Sequence, residues 1–140
     1  MPVTEDAGSA GRWRALREAR VPLLGLDREL VPVQPGILVL YREARVTWFG
    51  KSVNLRGTIA NALAVEGPSA LSPLRRSVLT SLGVTTLEAL NAKRYRPTSD
   101  DHARMSAWIR GCGVAWQVCE SEAEVIRLEL QLQAEPDREP

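Results

Sequence analysis

The sequence predicts a mixed α/β (α+β) domain, a small and mainly antiparallel three-stranded sheet flanked by helices. Three observations lead there. Two short runs rich in β-branched and aromatic residues, Ile37–Tyr41 and Val46–Phe49, lie between the turn signal Pro35-Gly36 and Gly50, with Arg42-Glu43-Ala44 between them. Runs of this kind separated by a short polar break read as a hairpin. A third run, Val114–Cys119, alternates as a strand does. The remaining segments carry helical spacing with recognisable start and stop residues.

Residues 1–10 are expected to be a disordered lead, and residues 11–136 a single domain. Gly11–Arg20 has the residue types of a short helix, with Trp13, Ala15 and Leu16 as its apolar contacts and four arginines around them. Val21–Val33, rich in Pro and Leu, reads as a connection. With Arg42-Glu43-Ala44 as a three-residue loop, Tyr41 pairs with Arg45 and Leu38 lies opposite Trp48. Side chains alternate along a strand, so Leu38, Leu40, Val46 and Trp48 then share one face, and Ile37, Val39, Tyr41, Thr47 and Phe49 the other. Apolar on both sides, the first strand is expected to be central.

Asn54 is placed as the N-cap of a helix Leu55–Ala64 whose apolar stripe is Leu55, Ile59, Ala62 and Leu63. Thr58 and Arg56 fall on opposite flanks of that stripe. Gly67-Pro68 breaks the chain. The next helix opens at Ser72-Pro73, runs through Leu74, Val78, Leu79 and Leu82, and stops at Gly83. Its first turn carries Arg75-Arg76, cations that oppose the helix dipole and are easier to understand with an anion bound to them. Thr86–Leu90 has room for one helical turn. The loop Asn91–Pro97 follows, with Lys93, Arg94 and Arg96 around Tyr95. Ser99 and Asp100-Asp101 start a helix buried through Met105, Trp108 and Ile109 and closed by Gly111. Ser121-x-x-Glu124 is a capping box for the last helix, which leads to a charged tail at 137–140, expected to be disordered.

Composition narrows the function classes. The chain has 140 residues, 44% of them hydrophobic, and no run approaches the roughly 20 apolar residues of a membrane span. The first residues lack the apolar segment of a secretory signal, and Cys112 and Cys119 are not spaced as a zinc knuckle, so a cytoplasmic setting is expected. A single histidine, His102, excludes a multi-histidine metal site. Between Lys51 and Arg110 nine basic side chains face four acidic ones, while from Gly111 onward two face seven. A basic middle suits a polyanionic partner, and equally suits a solvated surface.

The last helix holds one conspicuous acid. At 100° per residue, Val125, Ile126, Leu128, Leu130 and Leu132 span a wide apolar arc, and Glu129 falls near its middle. A carboxylate there costs several kcal/mol unless it is hydrogen-bonded, paired or bound to a cation. An arginine from another element, a bound cation and a place at the rim of a shallow core are all open to it.

Read together, Gly36-Ile37-Leu38, Trp48-Phe49-Gly50, the run Gly50-Lys51-Ser52-x-Asn54-Leu55-Arg56, and Leu128-Glu129-Leu130 followed by Glu135-Pro136 resemble the GIY-YIG nuclease family over residues 34–136. The segments around Leu74-Arg75-Arg76, Ser106-x-Trp108-Ile109 and Val114-Ala115-Trp116 look like a bacterial branch of that family without an assigned role. The resemblance implies a DNA endonuclease in which Glu129 binds one divalent ion, Mg2+ or Mn2+. It also implies a tyrosine, a second tyrosine and an arginine at the positions that here hold Leu38, Trp48 and Thr58. Leu38 has no polar atom, an indole cannot accept a proton, and threonine brings no charge to a developing oxyanion.

The expectation is therefore a DNA-acting domain with hydrolysis weak or lost. Glu129 would be the metal ligand and Arg56 the nearest, poorly placed, substitute for the missing arginine. Lys51, Arg56, Arg75, Arg76, Lys93, Arg94 and Arg96 would contact phosphates. An active endonuclease and a protein-interaction domain remain the alternatives.

Overall fold

The structure, a computed structural model, describes residues 8–63 and 73–135. It is a mixed α/β fold in three layers. In chain order the elements are α1 (Gly8–Ala19), β1 (Val21–Pro22), a 3-10 turn (Arg28–Leu30), β2 (Gly36–Arg42), β3 (Arg45–Ser52), α2 (Leu55–Leu63), α3 (Pro73–Ser81), α4 (Leu87–Asn91), α5 (Ser99–Arg110), β4 (Gly113–Val118) and α6 (Glu122–Ala134). None of these helices is long and apolar enough to cross a membrane.

Among the described residues the sheet has four strands in the order β1-β4-β2-β3, all antiparallel, and not three. The addition is β1, two residues within the expected connection, which pairs Val21 with Val114 and Pro22 with Gly113. Two residues give no alternation to read, and a proline is tolerated there because β1 is an edge. As expected, β2 is central, buried from Gly36 to Tyr41.

The hairpin differs from the expected register. Its loop is the two residues Glu43-Ala44, with Arg42 opposite Arg45 and Glu43 in the left-handed region at φ 58°. Tyr41 pairs with Val46, and Leu40 with Trp48, so β3 carries one extra residue there, Thr47, a bulge. The Thr47 hydroxyl donates to the Leu40 carbonyl at 3.2 Å. Leu38 consequently lies opposite Gly50 and not Trp48. Val46 joins the Ile37, Val39 and Tyr41 face, while Trp48 stays with Leu38 and Leu40.

Each face of the sheet has its own core. On one side Leu38, Leu40 and Val114 pack against Leu55 and Ile59 of α2, Leu74, Val78 and Leu79 of α3, and Met105 and Ile109 of α5. On the other, Ile37, Val39, Tyr41 and Ala115 meet Trp13 and Leu16 of α1 and Val125, Leu128 and Leu132 of α6. Burying some two dozen apolar side chains in two layers is the main stabilising term, each worth about 1.5–3 kcal/mol before entropy is counted. Trp13 closes the second layer, its ring edge-on to Phe49 at 5.2 Å and its indole N–H donating to the Glu135 carbonyl at 2.7 Å.

The helix starts follow from side-chain caps. Asn54 Oδ1 accepts from Gly57 N at 3.0 Å, and Ser121 Oγ from Glu124 N at 3.2 Å. For α5 the cap is Thr98, one residue before the expected Ser99, in a reciprocal box with Asp101. Helix α1 begins at Gly8, so the expected lead is shorter than ten residues. The rest of that lead, the Gly67-Pro68 break, the Ser72 cap and the tail at 137–140 lie outside the described residues.

Candidate functional site

Four elements converge beside the free edge of β3. Trp48, Phe49, Gly50 and Lys51 come from β3, Thr58 and Asn61 from α2, Leu74 from α3 and Glu129 from α6; together they line a cavity of about 340 Å³. A second cavity, about 490 Å³, shares Lys51 and Thr58 with it and adds Ser52, Val53, Glu122 and Val125 among its walls. The two adjoin at Lys51 and Thr58, beside the end of β3.

Local chemistry explains the convergence. Gly50 faces the α2 side with Trp48, and a Cβ there would lie 2.7 Å from the indole Cζ2, so only glycine leaves the ring its place. Ser52 ends β3, buried, with its hydroxyl accepting from Asn54 N at 3.1 Å and sharing a hydrogen bond with the Thr58 hydroxyl at 2.5 Å. That pair fixes the first turn of α2 on the end of the strand. Asn61, one turn beyond Thr58, reaches the same cavity.

Glu129 arrives from the other layer. Its Oε2 accepts from the backbone N–H of Lys51 at 3.1 Å. That N–H belongs to an edge strand, where no neighbouring strand among the described residues takes it. The acid is half-buried, and the expected apolar arc around it is narrower than the sequence implied. Val125, Leu128 and Leu132 are buried, but Ile126 and Leu130 are 41% and 60% exposed. Helix α6 meets the sheet with one stripe only, and Glu129 stands at the border of that stripe.

The candidate residues divide into three groups. Trp48, Thr58, Lys51 and Glu129 share the cavity. Leu38 does not line it; it is 1% exposed and pairs with Gly50. Arg56 is turned elsewhere: its Nε donates to the Val31 carbonyl at 2.8 Å, and its guanidinium lies 3.8 Å from Glu29. It staples α2 to the 3-10 turn, so the substitute role for the missing arginine does not fit its position.

Arg75 requires a correction. It is 0% exposed and donates to the Ala62 carbonyl at 2.9 Å, the His102 carbonyl at 3.3 Å and the Ser106 hydroxyl at 3.4 Å. An arginine used inside the protein is not available to a phosphate. The sequence placed it on a helix surface because one turn of α3 alone does not reveal that α5 packs over it. Burial lowers its pKa from the ordinary value, and it faces His102 Nδ1 at 3.2 Å. The His102 pKa is lowered too, by burial first and then by the charge of Arg75.

The other bases are at the surface. Arg76 Nη1 donates to Asn91 Oδ1 at 3.2 Å, which brings α3 beside the Lys93–Arg96 loop. Lys93 has φ 58° and Arg94 pairs with Glu88 at 3.2 Å; Lys93, Arg94 and Arg96 are all exposed. The Tyr95 hydroxyl does not point outward to a ligand but donates to Asp101 at 2.5 Å. Asn61, Phe49 and Leu74 are the cavity residues to which the sequence assigned no site role. For Asn61 the signal was present, since i+3 from Thr58 lies on the same side of a helix.

A divalent ion would find one carboxylate here, Glu129, with one oxygen already turned to the Lys51 amide. No group of three or more His, Cys, Asp or Glu side chains is brought together among the described residues. These donors fit Mg2+ held by one carboxylate, by water and by phosphate oxygens of a substrate, and not an ion enclosed by protein. Compared with known proteins, the chain matches no family, no curated protein and no solved structure.

Proposed function

We propose that the chain is a cytoplasmic DNA-acting domain of GIY-YIG endonuclease type in which metal-dependent phosphodiester hydrolysis is weak or lost. One observation carries the reading. Trp48, Thr58 and Glu129, the positions at which the resemblance expects a tyrosine, an arginine and a metal-binding glutamate, come from three separate elements and line one cavity. Leu38, where it expects the other tyrosine, is buried on the neighbouring strand opposite Gly50 of that cavity.

The same geometry argues for weak chemistry. Around Glu129 the described cavity residues offer no histidine or tyrosine to take a proton from water. Among the described residues the cavity holds no guanidinium to meet developing charge, and loss of one such stabiliser costs about 3–4 kcal/mol. A bound Mg2+ would supply Lewis-acid stabilisation at Glu129. Binding would rest on the exposed Lys51, Lys93, Arg94 and Arg96 and the half-buried Arg76, whose contacts with phosphate are electrostatic and sensitive to salt.

The test is plasmid nicking with Mg2+ and Mn2+, run beside mobility shifts at several salt concentrations. Salt-dependent binding with little or no nicking supports the reading. Efficient nicking lost in Glu129→Ala would make the chain an active endonuclease. A shift that is absent or indifferent to salt removes DNA altogether and favours a protein-interaction domain, for which the exposed Ile126 and Leu130 offer an apolar patch.

A further inference from the structure

We propose that the cavity between Trp48 and Glu129 seats one unpaired nucleobase, guanine in preference to the others and thymine least. The inference rests on the reading above for the source of the base, a strand and not a free nucleotide.

The lining decides what kind of group enters. Trp48, Phe49 and Leu74 form an aromatic and apolar wall, and Thr58, Asn61 and Glu129 bring the hydrogen-bonding groups. Among the described residues that line this cavity and the adjoining one, Glu122 and Glu129 stand against one cation, Lys51. With no cation bound at Glu129, a phosphate is therefore disfavoured there, while a neutral ring bearing N–H donors is not. Trp48 is half-buried with its ring held over Gly50, so a stacking surface exists before any ligand arrives and little ordering is needed on binding.

Selectivity comes from the acid. A carboxylate only accepts hydrogen bonds and has about four acceptor positions, of which the Lys51 amide takes one. Guanine presents a ring N–H and an amino group side by side, two donors for one carboxylate. Thymine flanks its single N–H with two carbonyls, which Glu129 would repel. The Asn61 amide both donates and accepts, and so can meet the carbonyl next to the guanine N–H.

The experiment uses the full 15N-labelled chain in EDTA, titrated with a short oligothymidylate, the same strand carrying one central deoxyguanosine, dGMP and dTMP. The Trp48 indole N–H is assigned through Trp48→Phe. The expected result is about tenfold tighter binding of the guanine-bearing strand. Shifts should be confined to Trp48, Asn61 and their neighbours, and Glu129→Gln should bring the ratio toward one. If that variant does not fold, the strand and mononucleotide comparisons on the unaltered chain decide. Equal affinity for both strands with Trp48 and Asn61 unmoved overturns the base seat and leaves the DNA reading standing. A response to dGMP without binding of either strand keeps the seat with a free nucleotide as its occupant, and removes the DNA reading. No response to any ligand removes both.

Discussion

The carboxylate of Glu129 is hydrogen-bonded to the backbone amide of Lys51, 78 positions earlier in the chain. This one contact joins α6 to the free edge of the sheet and holds an acid in the wall of a cavity. It satisfies an edge N–H that water would otherwise take, so its worth to stability is small, about 1 kcal/mol. Glu129→Ala is expected to shift the denaturation free energy by no more than that, measured by urea titration. Any DNA nicking the protein retains should disappear in the same variant.

Thr58→Arg is expected to raise nicking in Mg2+ or Mn2+ above the unaltered chain. It places a guanidinium in the cavity opposite Glu129, at the cost of the Ser52 hydrogen bond, about 1 kcal/mol. A fully folded variant with no gain in nicking would count against a site limited by missing charge stabilisation.

Arg75→Met should act on folding, since the side chain is fully buried and satisfies the Ala62 and His102 carbonyls. Leaving those groups without their donor is expected to cost about 3 kcal/mol in a urea titration. Lys93→Ala and Arg96→Ala should leave the urea midpoint near its original value. Each should instead reduce the dependence of log affinity for DNA on log salt by about one.

His102 makes stability depend on pH. Its folded pKa is lowered, by burial and then by Arg75, so below its ordinary value near 6.5 the unfolded chain takes up a proton that the folded chain refuses. Stability is therefore fully present above about pH 6.5 and falls as pH drops toward the depressed folded value. Thermal melting of His102→Gln should lose that slope between about pH 7 and pH 5. Asp101 acts at lower pH and with the same sign. Its pKa is lowered by the Tyr95 hydroxyl first and the Thr98 amide next, so its contribution is lost as pH falls through that lowered value.

The parts of the fold that were legible in the sequence are those with local causes. Strand β2 announced itself by being apolar on both faces, and Asn54, Gly111 and Ser121 marked helix ends because capping involves only neighbouring residues. The bulge at Thr47 was not legible, because a hairpin can close on two residues or three with the same letters. Arg75 was misjudged for a related reason: burial depends on α5, which the local pattern of α3 does not contain. Of the site, Glu129, Trp48 and Thr58 were named from the sequence, and their meeting in one cavity depends on the crossing of three elements. Phe49 and Leu74 line it as ordinary core residues would, and nothing in their spacing sets them apart.

The hydrogen bond from the Trp13 indole to the Glu135 carbonyl ties the first described helix to the end of the last. The first and last described helices are thus fastened to each other through one ring, itself wedged against Phe49. Trimming the chain inward from either side would loosen the opposite side as well, and a covalent splice between them would lie close to a junction the fold has already made.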